Sequence, residues 1–102
     1  MPDEVNELND YEMMVIIRPE IDTEKMDASI DSVNRLIANK AGVVSEVERR
    51  GKRKLAYPIR RFVEGNYVLT RFKLKPSAVK DLEKELLISE DVLRHLLIKL
   101  GG

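Results

Sequence analysis

The sequence predicts an α+β domain in which a four-stranded antiparallel sheet, spatial order 4-1-3-2, carries two helices on one face. Three observations lead there. Apolar spacing switches along the chain between the period of two expected of strands and the three-and-four spacing of helices, in the order strand, helix, strand, strand, helix, strand. The length, 102 residues, supports one hydrophobic core and not two. Pro58 has no amide hydrogen, so the second strand belongs at a sheet edge, where right-handed split βαβ units also put it. Together these define the ferredoxin-like βαββαβ sandwich.

Residues 1–10 read as a flexible acidic leader, with four carboxylates and no apolar periodicity. Tyr11 to Arg18 read as a strand that Pro19 ends. Asp22 is placed as an N-cap, its side-chain oxygen accepting a free first-turn amide, and Glu24 suits the same helix end. Met26, Ile30, Val33 and Ile37 then form an amphipathic stripe, and Gly42 supplies a stop. Val43 to Arg61 read as one long interrupted strand, with Val43, Val47, Leu55, Tyr57 and Ile59 on odd positions and Gly51 marking a bulge. Glu64-Gly65-Asn66 has hairpin-turn composition, and Tyr67 to Lys75 alternates with Val68, Thr70, Phe72 and Leu74 on one face. Pro76-Ser77 opens a second helix through Val79, Leu82 and Leu86, ending near Leu87. Ser89-Glu90-Asp91 breaks it, and Val92 to Leu100 forms the last strand. Residues 11–100 are thus one domain, with 101–102 as a tail.

The chain has no cysteine, which excludes disulfides, thiolate metal sites and cysteine nucleophiles. The longest apolar run, Met13 to Ile17, is far shorter than the ~20 residues of a membrane-spanning helix. The opening Met1-Pro2-Asp3-Glu4 is acidic where a secretory signal is basic. A cytoplasmic protein with no membrane partner is expected.

Charge is distributed unevenly under a formal net charge of zero. Residues 1–48 hold 12 acidic and 4 basic side chains, and residues 49–102 hold 6 and 14. From Arg49 to Lys75 there are ten Lys or Arg opposed only by Glu64. Such a stretch sets up a local field that favours polyanions whatever the net charge, because screening limits interactions to about 10 Å at 0.1 M salt.

The central strands carry apolar residues on both faces. Tyr11, Met13, Val15 and Ile17 alternate with Met14 and Ile16, and Val68, Phe72 and Leu74 alternate with Tyr67 and Leu69. With both helices on one side, one set must face outward, and an exposed apolar patch of that size marks a protein partner. Sequence leaves open which parity of the first strand faces the helices.

The string Gly51-Lys52-Arg53-Lys54-Leu55-Ala56-Tyr57-Pro58-Ile59-Arg60 resembles the signature of the bacterial small-subunit (30S) ribosomal protein six family. Tyr11-Glu12, Arg18-Pro19, Glu64-Gly65, the Val79, Leu82 and Leu86 helix, and Val92-Leu93-Arg94 to Lys99 extend the likeness over about residues 11–99. The resemblance implies a structural, non-enzymatic protein that binds the central domain of 16S ribosomal RNA together with small-subunit ribosomal protein eighteen. Arg53, Lys54, Arg94 and Lys52 become the candidate RNA contacts. Met14, Ile16, Tyr57, Tyr67 and Leu69 become the candidate partner-protein contacts, although the phase Tyr57 shares with Leu55 and Ile59 favours core packing for that residue. No cofactor, metal or small-molecule substrate is expected.

Two other readings make distinct demands. An RRM-type reader of single-stranded RNA has the same element order but needs stacked aromatics in a basic-Gly-aromatic-small-aromatic motif. Glu64-Gly65-Asn66-Tyr67-Val68 has the wrong leading charge and lacks the first aromatic. A phosphate-cleaving enzyme needs a Gly-rich loop before a helix and a nucleophile beside a base, and neither is present in this pattern. His95, the single histidine, has no second ligand in sequence and reads as structural.

Overall fold

A computed structural model describes residues 8–101. The elements are β1 (Asn9–Ile17), α1 (Thr23–Asn39), β2 (Val43–Ile59), β3 (Phe62–Leu74), a 3-10 turn (Pro76–Ala78), α2 (Val79–Ile88) and β4 (Val92–Lys99). All strand pairings are antiparallel, in the order β2-β3-β1-β4, which is the expected order read from the other edge. β1 begins two residues earlier than the sequence suggests. Asn9 and Asp10 pair with Leu74 and Lys73, and the Asp10 carbonyl accepts from the Leu100 amide. Residues 1–7 of the expected leader and Gly102 of the tail lie outside the described residues.

The odd residues of β1 form the core. Tyr11, Met13, Val15 and Ile17 pack with Val68, Phe72 and Leu74 of β3 against Ile30, Val33 and Ile37 of α1 and Leu82 and Leu86 of α2. Tyr11 and Phe72, opposite each other across the β1–β3 pair, stack with ring centroids 5.6 Å apart. Both helices therefore cover the same face.

Asp22 caps α1 as expected, its Oδ1 accepting from the Lys25 amide at 2.8 Å. The far end of α1 differs. The left-handed residue that ends it is Ala41, with φ 61°, while Gly42 is needed for close approach: a Cβ there would stand 2.7 Å from Ile37 Cγ2 and 2.9 Å from the Ile37 carbonyl oxygen. A left-handed alanine carries a Cβ penalty that glycine avoids. Ala41→Gly is accordingly expected to stabilise the fold by about 0.5–1 kcal/mol in urea titration.

β2 departs most from its expected form. Register shifts between Val44 and Glu46 and between Arg49 and Gly51 leave Ser45 and Arg50 as extra residues, and Gly51 takes φ 86°. Each single-residue bulge reverses the in-and-out alternation. The odd-numbered apolar residues therefore do not share a core face: Val43 is 54% exposed and Tyr57 58%, while Leu55 is buried on the other side of the sheet. Pro58 does lie on an edge strand.

The hairpin turn is also displaced. Arg60 and Arg61, with φ 50° and 74°, form the two-residue loop between β2 and β3, both in the left-handed conformation that matches the twist of a hairpin. Glu64-Gly65-Asn66 instead continues β3, paired with Lys54, Arg53 and Lys52. Gly65 belongs inside the strand because a Cβ there would collide with Cγ2 of buried Ile16.

Candidate functional site

The sheet face opposite the helices is built by residues whose partners are fixed by register. Met14 lies opposite Leu69 on β3 and Leu96 on β4, and Ile16 opposite Tyr67 and Arg94. A second, smaller apolar cluster forms there from Ile16, Leu55 and Leu93, with Ile59, Phe62 and Tyr67 packed against it. Ile16 and Leu69 are buried, so the accessible apolar surface is Met14, Tyr67, Leu96 and Ile98. Sequence pointed to Met14 and Tyr67. It missed Leu96 and Ile98, whose alternation is hidden by Leu97 between them, a residue that packs on the main core.

Residues of β2 contribute to this face from outside the ladder. Between Lys54 and Ile59, β2 advances five residues while β3 retreats from Glu64 to only Phe62. The excess, Leu55 to Pro58, leaves the ladder as a strap along the margin of the open face. Leu55 plugs into the cluster below it. Tyr57 reaches the opposite margin of the sheet, where its hydroxyl accepts a hydrogen bond of 2.6 Å from Arg94 Nη1. β2 and β4 are the two outermost strands, so this bond crosses the open face above β3 and β1. Core packing for Tyr57 is thus overturned. Beside the strap lies an apolar groove of about 250 Å³ lined by Ile16, Leu55, Tyr57, Ile59, Tyr67, Arg94 and Leu96.

The cations divide in two groups. Four on β2 and β3 are engaged: Arg49 pairs with Asp27 of α1, Arg50 with Glu48, Arg71 with Glu12 and Glu46, and Lys73 with Asp10. The Glu12 carboxylate, hydrogen-bonded to Arg71 Nε, raises that guanidinium's pKa above its ordinary value. Beyond Gly51 the pattern changes. Among the described residues, Lys52, Arg53, Lys54, Arg60 and Arg61 are exposed and form no ion pair. Arg53, Lys54, Arg60 and Arg61 occupy the part of the hairpin that outruns β1, whose pairing with β3 stops at Asn66, and Lys52 stands at its base opposite Asn66.

These cations are not all on one face. Arg53 pairs in register with Gly65, whose missing Cβ points at Ile16, so Arg53 shares the open face with Arg94. Lys52 and Lys54, one residue either side, point the opposite way.

Other polar groups serve the fold. Asp91 accepts from Arg18 Nε at 2.7 Å and from the buried Ser29 hydroxyl at 2.9 Å, joining the start of β4 to β1 and α1. The Arg18 hydrogen bond, aided by that of Ser29 against the opposing effect of burial, holds the Asp91 carboxyl below its ordinary 3.8. A carboxyl whose folded pKa is depressed adds stability that is full above the unfolded value and disappears as pH falls through the folded one. Asp91→Asn is therefore expected to cost about 1 kcal/mol at neutral pH, a modest figure because the pair is a third exposed, and the gap should close below about pH 4 in acid denaturation. His95 faces Glu83 of α2 at 2.9 Å, a carboxylate that sequence spacing did not place beside it. Among the described residues no group of three or more candidate ligands gathers as a metal site, and no helix is long and apolar enough to cross a membrane.

An open apolar sheet face bordered by unpaired cations, on a ferredoxin-like fold, has the form of a binding surface. The family model of Ribosomal protein S6 matches residues 10–99, and the chain belongs to that family, whose members are structural proteins of the small ribosomal subunit and not enzymes. The small ribosomal subunit protein bS6 of Dehalococcoides mccartyi strain CBDB1 is 44% identical over 96 residues, covering 94% of this chain and 88% of that protein. The bS6 of Desulforamulus reducens is 37% identical over 94 residues, covering 92% and 99%. The crystal structure of 30S ribosomal protein S6 from Thermotoga maritima superposes with a TM-score of 0.84 at 29% identity, covering 91% of this chain and 88% of that one. The C-terminal domain of the MgtC protein from Mycobacterium tuberculosis shares the fold alone, at 14% identity and a TM-score of 0.60.

Proposed function

We propose that this protein is a structural component of the small ribosomal subunit that binds the central domain of 16S ribosomal RNA jointly with small-subunit ribosomal protein eighteen, in the cytoplasm. The observation that carries the reading is the division of cations at Gly51. Arg49, Arg50, Arg71 and Lys73 are paired internally, whereas Arg53 and Lys54 project unpaired from an overhanging arm, with Lys52 and Arg94 near its base. An arm with cations on both faces suits insertion between phosphate strands better than contact with a single surface. Recognition of this kind reads backbone shape and needs no base-specific chemistry.

The partner protein would lie on the open face, over Met14, Tyr67 and Leu96, and enter the groove beside Tyr57, with Ile16 and Leu69 as its buried floor. An RRM-type reader would present aromatics at the centre of this face. Met14 and Leu69 occupy those places, which favours the protein partner.

Filter binding of the chain with ribosomal protein eighteen to a central-domain 16S RNA fragment tests the reading. The logarithm of affinity should fall linearly with the logarithm of salt concentration, by about 0.7–0.9 per phosphate contact. Salt-independent binding, or none, would overturn it.

A further inference from the structure

We infer that Tyr57 is a positioning residue for Arg94, and that the strap carrying it presents one edge of the Arg94 guanidinium ready for a phosphate. The inference rests on the RNA-binding reading above and adds a device to it. Arg94 stands on β4 with an exposed side chain. A free arginine side chain loses much of its rotamer freedom when it is fixed. Here one nitrogen is already fixed: Nη1 donates to the Tyr57 hydroxyl. Among the described residues, Nε and Nη2 make no hydrogen bond to protein. Those two nitrogens point their N–H bonds the same way and form the fork that grips phosphate bidentately. The tyrosine oxygen thus occupies the nitrogen that the fork does not need.

The strap is itself held in place. Leu55 is buried with Ile16 and Leu93, Pro58 restricts the backbone beside Tyr57, and the hydroxyl therefore meets Arg94 from a fixed point. The same strap lines the groove proposed for the partner protein. A partner side chain entering that groove would brace Tyr57, and so Arg94 through it.

The test is a double-mutant cycle of Tyr57→Phe and Arg94→Ala, read as affinity of the chain with ribosomal protein eighteen for the central-domain RNA fragment, across a salt series. Phenylalanine keeps the ring and removes only the oxygen. Arg94→Ala should weaken binding about tenfold and lower the salt slope by about one contact. Tyr57→Phe should weaken binding about threefold to fivefold with the slope unchanged, and should have no effect in the Arg94→Ala background, because the group it positions is gone. An equal effect of Tyr57→Phe in both backgrounds would mean that the tyrosine acts through packing alone, and no effect in either would mean that the bond does not matter. Both results overturn the inference. Failure of the unmodified chain to bind RNA with salt dependence would instead remove the underlying reading, and the inference with it.

Discussion

Replacing Lys52, Arg53 and Lys54 together by glutamine is expected to weaken binding to the central-domain RNA about 100- to 1000-fold, from three lost charge-assisted contacts at roughly 1–1.4 kcal/mol each. The salt slope should drop by about two to three. Thermal stability should barely move, since surface changes away from caps, cores and networks stay within about 0.5 kcal/mol and these side chains form no ion pair among the described residues. The single variants then sort the geometry. If Arg53→Gln alone reproduced the loss, the arm would lie flat with its open face on RNA. Comparable losses from Lys52→Gln and Lys54→Gln, on the opposite face, are the result expected of an inserted arm. Arg49→Gln is the natural comparison, because Arg49 is already paired with Asp27 and should lose little affinity.

Phe72→Ala is expected to have the largest effect on folding. The ring is 1% exposed, stacked on Tyr11, and lies between two strand partners, opposite Tyr11 on β1 and Val44 on β2. Truncating a buried phenylalanine costs about 3–5 kcal/mol. At about 4–8 °C per kcal/mol for a domain near this size, the midpoint should fall by roughly 15–30 °C. Stability of small domains is only about 5–15 kcal/mol, so the variant would be marginal at growth temperature. Urea denaturation checks it, and a loss below about 1 kcal/mol would show that the core is not organised around this ring.

What was legible in the sequence follows from where local signals and tertiary packing agree. Val68, Thr70, Phe72 and Leu74 alternate without interruption and all are buried on the helix face. The α1 stripe and the Asp22 cap were equally plain, because cap and periodicity act within a few residues of each other. β2 was not. Its bulges at Ser45 and Arg50 reverse parity twice, and only the second is marked, by the neighbouring Gly51. The turn was misplaced because two arginines adopt the left-handed pair usually given to asparagine and glycine, while the glycine that resembles a turn signal is reserved for contact with Ile16. For the candidate site, the basic run named Arg53 and Lys54, and family likeness named Arg94. The bond between Arg94 and Tyr57 needs a three-dimensional crossing of the sheet that no spacing encodes.

The internal pairing of Arg49, Arg50, Arg71 and Lys73 bears on how the molecule meets nucleic acid. With no net charge, it gains little from long-range attraction, and at ~0.1 M salt a side chain is felt only within about 10 Å. The molecule measures 49 × 27 × 22 Å, so most of its surface lies out of range of any one charge. Encounter becomes a question of attitude: a tumbling particle that happens to arrive arm-first is captured, and one that arrives helix-first drifts away.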